Sequence, residues 1–95
     1  MPAYVIIDIE VHDPAKFEEY KKLGPPSIAA YGGKYLVRGG DCETLDGTWS
    51  PTRIVVLEFP DMARAREWYN SDLYARAIQL RHASAKSQFI LVEGL

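Results

Sequence analysis

Three charged residues stand among apolar ones in stretches that read as β-strands: Asp8 among isoleucines, Arg38 after Leu36-Val37, and Glu58 between Leu57 and Phe59. Desolvating an unpaired charge is costly, so each calls for a partner or a ligand. One reading is structural, with an Arg38–Glu58 or Arg53–Asp8 ion pair fixing strand register or a subunit seam. The other is functional: Arg38 anchors a carboxylate or enolate oxygen while a nearby carboxylate such as Glu58 accepts a proton. Aromatic residues add to this set. Tyr20 and Tyr31 fall on one helical region and Trp68, Tyr69 and Tyr74 on another. Apolar bodies with polar tips suit a small-molecule cleft, and they suit an ordinary core equally well. Core packing is the simpler role for Trp68, whereas Tyr20 and Tyr31 each bring a hydroxyl capable of proton transfer. Arg81, one turn before its helix ends, points either to the same pocket or to solvent. The candidate catalytic set is therefore Arg38, Glu58, Tyr20 and Tyr31, and the candidate substrate-binding set is Trp68, Tyr69, Tyr74 and Arg81.

Other chemistries find little support. There is no Gly-x-Gly-x-x-Gly, no phosphate loop and no Gly-x-Ser-x-Gly elbow. Gly32-Gly33 and Gly39-Gly40 read as helix-stop and strand-end glycines. Zinc or iron needs several converging ligands, which His12 and His82 do not supply, and His82 is explained as a partner for a helix C-terminus. Neither histidine has the setting of a haem ligand, so no metal or cofactor is expected. Cys42 lies in a loop without an activating base, and Trp49 in the same connection is a candidate anchor on a partner subunit.

These side chains need elements to hold them. Residues 3–11 alternate, with Val5, Ile7, Ile9 and Val11 on one face and Tyr4, Ile6, Asp8 and Glu10 on the other, which predicts a strand. Asp13-Pro14 starts a helix that Gly24-Pro25-Pro26 is expected to break or kink, with Ser27 capping a second piece to Tyr31. Residues 34–38 form a second strand, and a long connection with the turn dipeptide Asp46-Gly47 leads to a third at 53–59. Asp61 caps a helix that Asn70-Ser71-Asp72 interrupts and that continues to about Ala83. Residues 87–93 form the last strand. The order β-α-β-β-α-β is the ferredoxin-like α+β plan, a four-stranded antiparallel sheet with two helical regions on one face. Both sheet faces carry apolar groups, however, and two helical regions cover only one. The other is expected to be covered by a second chain.

Length and composition agree with one small domain spanning residues 1–95. The chain has 95 residues, 47% hydrophobic and 25% charged, with a net charge of −2. A near-neutral balance argues against a nucleic-acid binder. No apolar run is long enough for a membrane helix, no signal segment opens the chain, and a single cysteine excludes an internal disulfide, so a cytoplasmic location is expected.

The blocks Met1-Pro-Ala-Tyr-Val-Ile, Tyr31-Gly-Gly-Lys-Tyr-Leu-Val-Arg-Gly-Gly40, Val55-Val-Leu-Glu-Phe-Pro60, Trp68-Tyr69 with Ser71 and Tyr74, and Leu91-Val-Glu-Gly94 resemble domain-of-unknown-function family 1330, within the dimeric α/β-barrel superfamily. The resemblance implies a homodimer in which ferredoxin-like protomers pack sheet to sheet as a barrel. It implies no particular reaction, since the superfamily includes cofactor-free monooxygenases, isomerases and haem enzymes. Many members carry His where this chain has Tyr31, so an imidazole step there is not carried over. Two kinds of function remain open: a cofactor-free enzyme acting on a small anionic or enolisable molecule, and a non-catalytic small-ligand or dimeric interaction module.

Overall fold

The computed structural model describes residues 1–95. Alternating β-branched residues form strand β1 (Ala3–Val11), flanked by β3 (Ile54–Phe59) and by β4 (Ala85–Glu93), with β2 (Lys34–Arg38) outside β3. The sheet order is β2-β3-β1-β4 and every neighbouring pair is antiparallel. Three helices, α1 (Pro14–Ala30), α2 (Met62–Tyr69) and α3 (Asp72–Ser84), lie on one face. Each starts at a residue whose side chain accepts a backbone N–H of the first turn: Asp13 from Lys16 at 3.2 Å, Asp61 from Arg64 at 2.8 Å, and Ser71 from Tyr74 at 3.1 Å. The architecture is the ferredoxin-like α+β plan. Its core lies between helices and sheet, built from Val5, Ile7, Ile9, Val55, Leu57 and Phe59 below and Phe17, Ile28, Ala65, Trp68, Tyr74 and Ala77 above. No helix is long and apolar enough to cross a membrane.

Of the two outcomes expected of the double proline, a break and a kink, the break does not occur. The helix runs on to Ala30 with Pro25 and Pro26 inside it. Pro at an interior position removes an N–H and crowds the preceding turn, at a cost of about 3 kcal/mol. Tertiary contacts offset it here. Ser27, rather than capping a new helix, is buried, with its hydroxyl donating to Gly24 O at 2.6 Å and accepting from Trp68 Nε1 at 3.0 Å. Ile28 is buried one residue further on. The last turn of α1 is thus anchored to the core.

A β-bulge decides which side of the sheet Arg38 occupies. Lys34 pairs with Glu58 and Tyr35 with Leu57, but Val37 then faces Val56 and Arg38 faces Val55, so Leu36 is an extra residue. Strict alternation would put Arg38 on the same face as Lys34 and Glu58. The bulge returns it to the helix side with Tyr35 and Val55. On the open face, Val37, Val56, Ile6 and Ile90 align across all four strands. This apolar stripe is flanked by the row Lys34, Glu58, Tyr4 and Val92 and by the row Ile54, Asp8 and Gln88. Ile90 is 59% exposed in the single chain.

Candidate functional site

Arg81 is the most unusual residue of the interior. It is a cation only 2% exposed and has no carboxylate partner. The seven-residue spacing from Tyr74 places both on one face of α3. Arg81 Nη1 donates to Tyr74 Oη at 2.9 Å, and Nη2 donates to Tyr69 Oη at 3.2 Å and approaches His82 Nε2 at 3.3 Å. Its guanidinium lies 4.0 Å from the centre of the Phe89 ring. Such stacking suits a weakly hydrated planar cation. Burial works against this charge, and the oxygens of Tyr74, Tyr69 and Tyr20 outweigh it, so the guanidinium is held in its charged form.

The contact between Tyr74 and Tyr20, 2.7 Å between hydroxyl oxygens, extends the chain from α3 to α1. Its direction follows from satisfying hydrogens. Tyr74 is fully buried and its oxygen already accepts from Arg81. Its own hydrogen has one acceptor within reach, the Tyr20 oxygen. Donation the other way would leave a buried O–H without a partner. The order is therefore Arg81 to Tyr74 to Tyr20, and the Tyr20 hydrogen is free for whatever lies beyond. Burial pushes the Tyr74 hydroxyl far above the usual tyrosine range, with Tyr20 adding to the shift and Arg81 opposing it, so Tyr74 is a neutral phenol.

Beyond Tyr20 lies a slot between α1 and the β2–β3 side of the sheet. Phe17, Ile28 and Leu57 are among its apolar walls, and Lys21, Arg38 and Arg53 supply three cations. Tyr35 adds a second hydroxyl. Burial raises the Tyr35 hydroxyl above its ordinary value, with Arg38 opposing, so it too acts as a neutral donor. Arg38 lies over the Tyr35 ring at 4.5 Å. The Arg53 Nε is buried without a partner. Gly24, in the adjacent turn of α1, leaves space beside the Tyr20 and Tyr35 hydroxyls. No carboxylate lines the slot, and its volume is about 30 Å³. That is the room of one water molecule.

The residues singled out from the sequence thus divide. Tyr20, Tyr74, Arg81, Tyr69 and Trp68 come together, Trp68 as a core residue 4.3 Å from the Tyr74 ring centre. Arg38 shares the slot with Tyr20. Glu58 lies on the open face and pairs with Lys34 at 3.5 Å, so neither an Arg38–Glu58 ion pair nor a Glu58 base facing Tyr20 is formed. Tyr31 closes α1 beneath the Arg64 guanidinium, 5.0 Å away, outside the slot. Asp8 accepts from Trp49 Nε1 at 3.1 Å, from the Thr52 amide at 3.1 Å and from the Arg53 amide at 3.5 Å, tying down the connection before β3 rather than pairing with the Arg53 side chain. Tyr35, Lys21 and Gly24 line or border the slot although the sequence reading assigns them no role in a site. Alternation would have found Tyr35 on the face of Leu57, whereas nothing local marks Gly24. No group of three or more His, Cys, Asp or Glu side chains converges to hold a metal ion.

Solved structures share this fold at low sequence identity. A protein of unknown function from Rhodopseudomonas palustris superposes with a TM-score of 0.81 at 19% identity, covering 99% of this chain and 82% of that one. A dimeric ferredoxin-like protein of unknown function from Jannaschia sp. CCS1 gives 0.72 at 13% identity, covering 99% and 100%. SnoaB, a cofactor-independent oxygenase from Streptomyces nogalater, gives 0.66 at 16% identity, covering 99% and 93%. No curated protein matches the chain. The model of one family matches residues 2–95, and the chain belongs to that family, Domain of unknown function (DUF1330).

Proposed function

We propose that the slot between α1 and the β2–β3 side of the sheet binds a small molecule with an apolar body and one anionic oxygen. The observation that carries this reading is the convergence of Arg38 and Arg53, with Lys21 (paired with Glu18 at 3.2 Å), on a slot whose lining holds no carboxylate. The cations and the hydroxyls of Tyr20 and Tyr35 stabilise negative charge, and nothing in the lining serves as a carboxylate base. The favoured ligand therefore supplies its own acidity, as an enol or phenol that ionises on binding. Tyr20 donates to the resulting oxyanion, backed by Tyr74 and the Arg81 charge, while Arg38 and Arg53 pair with it. Tyr69 and Trp68 act from behind as packing and positioning groups. Entry requires the exposed Arg38 and the half-buried Lys21 to swing outward, since the slot has room only for water. The structural likeness to a cofactor-independent oxygenase makes attack of such an anion on dioxygen the enzymatic form of this reading. The binding form stops at ionisation.

The probe is 4-nitrophenol, whose phenolate is read by its absorbance. The protein is expected to raise the phenolate fraction at fixed pH, an apparent drop of about one pKa unit, equivalent to about 1.4 kcal/mol. Arg38→Met and Arg53→Met should abolish the effect, and Tyr20→Phe should reduce it. An unchanged phenolate fraction at saturating protein would overturn the slot reading. Oxygen uptake with a dihydroxynaphthalene then separates enzyme from binder.

We also infer a homodimer formed through the open sheet face, closing a barrel of two sheets. The stripe Val37, Val56, Ile6 and Ile90 supplies an apolar centre and the flanking rows a polar rim. Trp49, 60% exposed and held to Asp8, borders the same face near Ile6 and Ile90. The dimeric neighbour from Jannaschia supports a homodimer. Ile6→Lys should give a monomer by sedimentation, and an unchanged dimer would remove this face as the interface.

A further inference from the structure

A second cavity reaches Arg81 from the side away from the slot. It is a cleft of about 300 Å³ between the C-terminal end of α3 and the start of β4, lined by Tyr69, Arg81, His82, Ala85, Ser87 and Phe89. We propose that this cleft is a binding site for a small organic carboxylate, with Arg81 as its counter-charge. The guanidinium has five N–H hydrogens. Only three bonds are made, to Tyr74, Tyr69 and His82, and the two on Nη2 are long at 3.2 and 3.3 Å. The Nε, buried with the rest of the side chain, has no partner. The tyrosine oxygens hold the charge but bring no counter-charge, and a buried cation without a carboxylate is a ready partner for an incoming anion.

The rest of the lining fits that anion. Tyr69 and Ser87 offer hydroxyl donors, and Phe89 holds the guanidinium flat at 4.0 Å, ready for a two-point approach by a planar carboxylate. No Asp or Glu lines the cleft to repel it. His82 Nε2 lies 3.3 Å from Arg81 Nη2, and Arg81 is the only arginine or lysine in the lining. One positive charge matches a monocarboxylate better than a phosphate dianion. Because the cleft and the slot share only the Tyr20–Tyr74–Arg81 chain, this site stands independently of what the slot binds.

The test uses the full chain and acetate, with sodium chloride at equal ionic strength as the control, followed by ¹H–¹⁵N NMR. A saturable shift of the Arg81 Nε–Hε signal and of the Ser87 amide is expected with acetate and not with chloride. Ser87→Ala and Tyr69→Phe each remove one hydroxyl donor from the cleft lining. Each should weaken acetate about fivefold, the scale of one lost hydrogen bond. Arg38→Met, in the slot, should leave acetate binding here unchanged. A response to chloride of the same size, unaltered affinity in both cleft variants, or shifts confined to slot residues would each overturn the proposal.

Discussion

Replacing Tyr74 by Phe removes a single oxygen from the centre of the buried chain, and the cost can be worked out bond by bond. The ring keeps its packing on Trp68, 4.3 Å between centroids, so no cavity larger than the hydroxyl is made. What is lost is the acceptor for Arg81 Nη1 at 2.9 Å and the donor to Tyr20 at 2.7 Å. The Arg81 N–H is left inside a residue 2% exposed. A hydrogen bond to a charged group removed in this way costs about 1.5–3 kcal/mol. Losing the Tyr20 bond adds less, because Tyr20 is only half-buried and borders the slot. A total of about 2–3 kcal/mol corresponds to a fall in Tm of roughly 10–20 °C for a domain of this size. Urea unfolding followed by tryptophan fluorescence measures it, at one fixed protein concentration because association contributes to apparent stability. Tyr20→Phe should cost about 1–2 kcal/mol, since the buried Tyr74 hydrogen then lacks its acceptor. The double variant should be less destabilised than the sum of the two singles. A Tyr74→Phe protein within about 0.5 kcal/mol of the parent, at unchanged m-value, would refute the chain of donors from Arg81 to Tyr20.

Three further outcomes are expected. Because burial raises the Tyr74 hydroxyl above its ordinary value of 10.0, the unfolded chain releases this proton at a lower pH than the folded one. Stability should therefore fall as pH rises above 10, by about 1.4 kcal/mol per pH unit for this group, and urea midpoints at stepped pH should lose that part of the slope in Tyr74→Phe. Gly33→Ala places a methyl 2.6 Å from Phe59 Cε1 and 2.7 Å from Ile28 Cγ2, which should destabilise by about 1–3 kcal/mol in thermal unfolding. Gly24→Ala makes only ordinary contacts, 3.8 Å or longer to Tyr20 and Tyr35, so it should stabilise α1 by about 0.5–1 kcal/mol while narrowing the slot, raising Tm and weakening 4-nitrophenol together.

The strands and the helix caps were legible because their signals are local. Asp13, Asp61 and Ser71 cap helices where a short polar side chain precedes an amphipathic run, and β1 and β3 alternate on both faces. The continuity of α1 was not legible, because what carries it past Pro25-Pro26 is a bond from Trp68, 41 residues away, to Ser27. The same applies to Arg38 and Glu58. Both are charged strand residues, and pairing them is reasonable until one extra residue at Leu36 sends Arg38 to the opposite face. Tyr74 and Arg81 share a helix face by spacing, but the absence of an acid beside Arg81 is a property of three-dimensional packing alone.

The bulge also ties the two faces of the sheet together. Strand β2 has five residues, stands at the sheet edge, and is hydrogen-bonded only to β3. Alternate positions of β2 and β3 serve different ends: Val37 and Val56 belong to the open-face stripe, while Tyr35, Arg38 and Val55 face the slot. An edge strand this short has little intrinsic hold on its register. In the proposed dimer, a partner chain covering Val37 would pin the strand from the open side and with it the bulge that aims Arg38 at Tyr20. Val37→Ser, which touches nothing in the slot, should therefore weaken 4-nitrophenol binding under conditions where the dimer dissociates, and high protein concentration should restore it. If binding is instead the same in monomer and dimer, the slot is complete within one chain and the open face serves association alone.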